Sequence, residues 1–300
     1  SYEDSSDIDK FNKSVDIVSI IKEYGLDNIK SKIESNKELF NMYAYYILHN
    51  NKIDGYQKYF LYLFSIYADY KDNINEDKLV SMAKGTRINK VNKDVGPIGE
   101  AGNASEWNVN FYGQYYKDEH IIYHELTHLV DFTYDKELEK GAVCEDGSLY
   151  KLLVDVSDIS KCISLNSMTF IMEGGAEIFS SKYFGNGIPS TYESYTTTYN
   201  ILYRLFGEDI VNRIYLADKP AYALYDLLVN KNGMSTKDFI KFYKTLDNVK
   251  GFDYKDRQSV RKVLENLVSL VKKDYKNDLY LMYLLNRILS LLVFLLKSCI

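Results

Sequence analysis

The stretch IIYHELTHLVD, residues 121–131, decides how the rest of the chain is read. His124 and His128 stand four positions apart. On a helix that spacing sends both imidazoles out of one face, one turn apart. Two ring nitrogens so placed reach one zinc ion at about 2.0–2.1 Å. Glu125 is turned around the helix from the first histidine, beside the open position of such an ion. A carboxylate there takes a proton from the attacking water. Ile121, Ile122, Leu126, Leu129 and Val130 give the helix an apolar side. With four histidines in 300 residues, an accidental HExxH is rare. His120 lies one turn earlier and is not followed by Glu. Three histidines at four-residue steps cannot all meet one ion, so His120 is expected at the surface or beside the ligands.

A catalytic zinc takes three protein ligands and keeps one position for water. The remaining histidine, His49, lies far upstream, and a metzincin continuation would need Gly at 131 and His at 134, where the chain has Asp131 and Tyr134. The third ligand is therefore expected to be a carboxylate. Glu173 and Glu177, in FIMEGGAEIF, lie one helical turn apart among Phe170, Ile171, Met172, Ile178 and Phe179. A carboxylate in such surroundings is costly unless it meets a cation or turns to solvent. Glu173 is the preferred ligand, with Glu177 supporting it from behind. Gly174 and Gly175 each cost about 1 kcal/mol of helix stability against Ala. The expected return is close approach of this helix to the HELTH helix. Asp131, one turn past His128, either accepts the free ring N–H of a ligand histidine or is an exposed helix carboxylate.

Outward from these segments, residues 14–72 read as helices. Val15, Val18, Ile21, Leu26, Ile29 and Ile33 recur at helical spacing, as do the aromatics of YQKYFLYLFSIYADY. From residue 84 to about 113, glycines separate short alternating runs that read as strands and turns, clearest at Trp107, Val109 and Phe111. The GPIGEAG run is a poor match to a phosphate-binding loop. Helical periodicity returns over 118–134, in SMTFIMEGGAEIFSSKYF up to Gly185, and from 192 onward; KLLVDV at 151–156 reads as a short strand or helix. Three regions are expected: 1–83 helical, 84–190 the catalytic core, and 191–300 helical.

A net charge of −5 provides no basic surface for nucleic acid. Cys144, Cys162 and Cys299 form no close motif; one bridge, Cys144 to Cys162, competes with three free thiols, the favoured expectation. The 29 tyrosines fit codon bias in an AT-rich bacterium. The start SYEDSSDIDK reads as a mature terminus after loss of a leader, which permits export. Residues 279–296 are mostly apolar and marginal for a membrane span. Asn286 and Arg287 in their middle favour a buried helix instead.

HELTH followed by a helix bearing E-G-x-A-E resembles the gluzincins, zinc peptidases with a glutamate third ligand. HELTHLVD and EGGAEIF are similar to H-E-x-x-H-x-V-D and E-x-x-A-E-x-F of the anthrax lethal factor-like family. Bacterial collagenases share a similar pattern and are the second choice. The likeness covers about residues 118–184, and the gap from His128 to Glu173 is longer than in thermolysin-like enzymes. It implies Glu173 as the ligand. It also implies a substrate-binding edge strand above the metal, for which 106–112, with Trp107, Val109 and Phe111, is the candidate. The lethal factor-like pattern has a tyrosine shortly before the third ligand; position 166 here is Asn. Tyr192, Tyr195 and Tyr199, just past the ligand helix, are candidates to stabilise an oxyanion, with packing as their other role.

Together these features imply an α+β, predominantly helical fold. A zincin-like catalytic domain, with a small sheet and two long active-site helices, is flanked by helical regions. The implied activity is zinc-dependent hydrolysis of peptide bonds in a protein or peptide substrate, by a secreted or cell-surface bacterial enzyme. A non-catalytic zincin scaffold that binds a partner, and a membrane-associated toxin or effector protease, are the alternatives.

Overall fold

A computed structural model describes residues 15–96, 100–105, 107–130, 141–150, 159–165, 169–184, 192–248 and 254–290, excepting the side chains of Tyr150, Ile159, 182–184 and Tyr254. The chain is α+β and predominantly helical. It divides into two compact units, Ser1–Phe132 and Thr133–Ile300. The boundary falls inside the expected 84–190 core. The KLLVDV run at 151–156 lies outside the described residues.

Among the described residues, the first unit opens with helices α1 Ile17–Tyr24, α2 Lys30–Ser35, α3 Lys37–His49, α4 Gln57–Asp69 and α5 Glu76–Gly85. The Asp16 carboxylate caps α1 by accepting from the N–H groups of Val18 and Ser19. Gly25 ends α1 in the left-handed region at φ 66°. Ile21, Leu26, Ile29 and Ile33 are buried as their spacing requires, but Val18 is 77% exposed and Ile20 takes the inward place. Val18 stands about 200° around the helix from Ile20, and a spacing count carried across the Gly25 break hides this. Helix α4 is buried along most of its length, and Phe64 meets Phe40 edge-on at 5.1 Å between ring centroids.

Three strands follow: β1 Arg87–Val91, β2 Gly102–Ser105 and β3 Asn108–Tyr112, in the spatial order β1-β3-β2. β3 runs parallel to β1 and antiparallel to β2. Val109 and Phe111 point into the core with no exposed surface, and Phe111 stacks on Tyr56 at 5.7 Å. On the other face an amide ladder crosses the sheet. Asn89 donates to Asn110 at 3.0 Å, and Asn110 donates to Asn103 at 2.8 Å. Asn103 in turn donates to Glu100 and to the Tyr112 hydroxyl. Slipping β3 by one residue would break the ladder and expose Val109 and Phe111, so both faces pin the register.

The sheet corrects two expectations. β3 is the middle strand and is paired on both sides, so Val109 and Phe111 are not on an edge strand. Among the described residues the edges are β1 and β2. Trp107 is not in the strand. It occupies the turn before β3 at φ 59°, and its carbonyl accepts from the Arg87 N–H at 2.7 Å. Alternation marks a strand without telling which of its edges stays open.

Helix α6, Glu119–Thr127, completes the unit and passes into a 3₁₀ turn over His128–Val130. Its nine α-helical residues are shorter than the long helix expected.

The second unit contains a three-stranded antiparallel sheet in the order β5-β4-β6, with β4 Ala142–Cys144, β5 Leu149–Tyr150 and β6 Cys162–Ser164. Cys144 lies opposite Cys162, and the two form a disulfide. This corrects the expectation of free thiols. The Leu165 N–H donates to the Gly141 carbonyl, and the Glu145 N–H to that of Lys161. The cysteines thus fall at a non-hydrogen-bonded pair, where opposing Cα atoms approach most closely; their Cα atoms are 4.0 Å apart. Sequence separation says nothing of that register.

Among the described residues the unit also contains helices α7 Thr169–Phe184, α8 Glu193–Phe206, α9 Glu208–Tyr215, α10 Pro220–Tyr225, α11 Thr236–Asp247, α12 Tyr254–Val271 and α13 Leu279–Ser290. α10 runs on as a π-helix over Asp226–Lys231. α13 buries Leu281, Leu284, Leu285 and Ile288 and exposes Leu279, Tyr280 and Tyr283. Its Arg287 donates to Glu193 and its Asn286 accepts from Arg261. Among the described residues no helix is long and apolar enough to cross a membrane; residues 291–296 of the apolar tail lie outside them.

Candidate metal centre

The HELTH helix starts where Asp118 accepts from the Ile121 N–H at 3.2 Å. One turn of the chain then carries His124 to His128, and both rings are buried. Their Nε2 atoms face each other across 3.1 Å, with the ring planes at 83°. Two aromatic nitrogens so close need a shared proton or a shared cation between them. Two imidazoles bound at about 2.0–2.1 Å to a tetrahedral ion stand about 3.3 Å apart. The pair is therefore already near the spacing that one zinc ion requires. At His128 the α-helix gives way to the 3₁₀ turn, and the His128 N–H donates to the His124 carbonyl.

Glu125 is buried against β2, where the backbone of Gly102 leaves room for its side chain. Leu126 and Thr127 face the interior, and the Thr127 hydroxyl donates to the Tyr123 carbonyl at 2.6 Å. His120 is half-buried. His49 is exposed, and its ring stacks on Tyr45. Asp131 lies outside the described residues.

Lys78, on α5, escapes a reading by pattern. Its side chain is buried, and its ammonium donates to the Val130 carbonyl at 2.6 Å. That carbonyl belongs to the 3₁₀ turn that begins with His128. A buried lysine has no motif, and only the fold shows what it holds.

In the second unit, Glu173 is half-buried and Glu177 is buried, so neither is freely solvent-facing. Tyr195 packs on the same helix, and its hydroxyl is pushed up to about 12, first by burial and then by the carboxylates of Asp247 and Glu173. Tyr192 stacks on Tyr195 at 5.9 Å. Tyr199 donates to the Ile171 carbonyl at 2.8 Å, which commits its proton to α7.

The two glycines serve a different neighbour from the one expected. A Cβ on Gly174 would fall 2.9 Å from Tyr195 and Tyr199, and one on Gly175 would fall 2.1 Å from the Tyr215 ring. They admit tyrosines of α8 and α9 against α7, inside the second unit. The expectation that they serve the HELTH helix is corrected; a glycine pair signals close approach without naming the partner.

No family model, no curated protein and no solved structure matches the chain. The resemblance to lethal factor-like peptidases thus rests on HELTHLVD and EGGAEIF alone.

Proposed function

We propose that the protein is a gluzincin-type zinc metallopeptidase in which His124, His128 and Glu173 hold one ion. Two imidazoles and a carboxylate are a donor set that could hold a metal ion, and its chemistry suits zinc. The observation that carries the reading is the pair of buried imidazole nitrogens 3.1 Å apart, with a buried carboxylate, Glu125, next in the chain. Bound zinc supplies Lewis acidity, polarising a carbonyl and lowering the pKa of water to about 7.

The side chains perform the remaining steps. Glu125 takes a proton from the attacking water and delivers it to the leaving amine. Tyr195 donates to the oxyanion; its burial and high pKa keep the hydroxyl protonated at neutral pH. Tyr199 is not used, because its hydroxyl is bonded to Ile171. Substrate adds as a strand to β2, the sheet edge that touches Glu125, in place of β3. The Cys144–Cys162 disulfide supports an oxidising compartment, at or outside the surface of a bacterial cell.

The test is cleavage of a peptide library by zinc-loaded protein, with and without chelator, beside Glu125→Ala. Cleavage that the chelator and the substitution both abolish is the expected result. Failure of the zinc-loaded protein to cut any peptide or folded protein favours a scaffold that binds a partner without catalysis.

A further inference from the structure

We infer that Gly102 is a positioning residue for Glu125: its missing side chain sets where the carboxylate stands. The functional half of this inference rests on the peptidase reading; the structural half stands on the first unit alone. Gly102 opens β2, is buried, and pairs with Phe111 of β3. A Cβ added to it would lie 2.9 Å from Cγ and 3.3 Å from Cδ of Glu125, and 3.1 Å from the carbonyl oxygen of Asn110. Carbon atoms in ordinary contact sit at about 3.5–4.0 Å. A methyl group at position 102 would therefore be wedged between a strand and a side chain.

The two neighbours do not yield equally. Asn110 belongs to the middle strand, is paired on both sides and is tied into the amide ladder. Glu125 meets the added methyl with side-chain atoms, whereas Asn110 meets it with its backbone. Gly102 is also not among the glycines with positive φ, so its backbone conformation is open to any residue. Space for Glu125, and not chain reversal, is what position 102 demands. β2 is an edge strand among the described residues, and the same glycine brings its backbone up to the proton-transferring carboxylate.

The experiment is a double-mutant cycle with a kinetic arm. Thermal unfolding is measured on zinc-free wild type, Gly102→Ala, Glu125→Ala and the double variant. Gly102→Ala is expected to lower Tm in the wild-type background by at least about 2 °C more than in the Glu125→Ala background. The zinc-loaded Gly102→Ala protein should keep wild-type zinc content and a KM within about twofold, while kcat falls about 10- to 100-fold. Equal Tm shifts in both backgrounds overturn the contact. Failure of Gly102→Ala to fold in either background also overturns it, because Asn110 would then be what excludes the methyl. Coupling with an unchanged kcat overturns the positioning role. A wild type that cuts no peptide overturns the peptidase reading and this role together, while the unfolding cycle still reports the contact.

Discussion

The ammonium of Lys78 holds the Val130 carbonyl at 2.6 Å, two residues beyond His128. Replacing it by methionine keeps most of the buried volume and removes the donor. An unsatisfied buried carbonyl costs about 1–3 kcal/mol, so Lys78→Met should lower stability by that order in urea unfolding. The loss falls on the turn that carries His128, so zinc affinity should weaken as well, less than in His128→Ala. A variant as stable as wild type, with unchanged zinc binding, would show that the bond does not support the centre.

Zinc affinity tests the donor set directly. His128→Ala and Glu173→Gln each remove one proposed ligand and should each weaken binding by more than the 10- to 100-fold loss seen when a supporting residue is removed. Glu177→Gln should fall within about that 10- to 100-fold range. Competition with a chromophoric chelator measures all three. If Glu173→Gln binds zinc as wild type does while Glu177→Gln does not, the ligand is Glu177.

Gly175 lies mid-helix, where alanine ordinarily gains about 1 kcal/mol. Here the added Cβ would fall 2.1 Å from the Tyr215 ring, and overpacking typically costs about 1–3 kcal/mol. The clash outweighs the propensity, so Gly175→Ala should destabilise. A rise in Tm would mean that α7 and α9 do not pack this closely.

Asp278 has the clearest pH signature. The Lys272 ammonium, first, and then the Arg204 guanidinium hold its carboxyl well below the usual carboxylate range, against the opposing effect of desolvation. A carboxyl with a depressed folded pKa contributes stability that is present above its unfolded pKa, about 3.9. That contribution is lost as pH falls towards the folded value. Asp278→Asn should therefore be less stable than wild type at pH 7, and the gap should close as pH drops below about 4. A gap constant from pH 7 to pH 3 would remove the ionic origin.

The sequence by itself determined what is encoded within a turn or two of chain. The helical stretches, the shared face of His124 and His128, and the predominantly helical α+β class all follow from local periodicity. The exposure of Val18 shows where such counting stops, at a glycine that resets the helix. Only the tertiary structure decided relations between segments distant in the chain. It placed β3 between β1 and β2, set Cys144 opposite Cys162, turned Gly174 and Gly175 towards the tyrosines of α8 and α9, and brought Lys78 to Val130. None of these has a local pattern, because each depends on which surfaces the whole fold presses together. A residue's own neighbours in sequence carry no record of that choice.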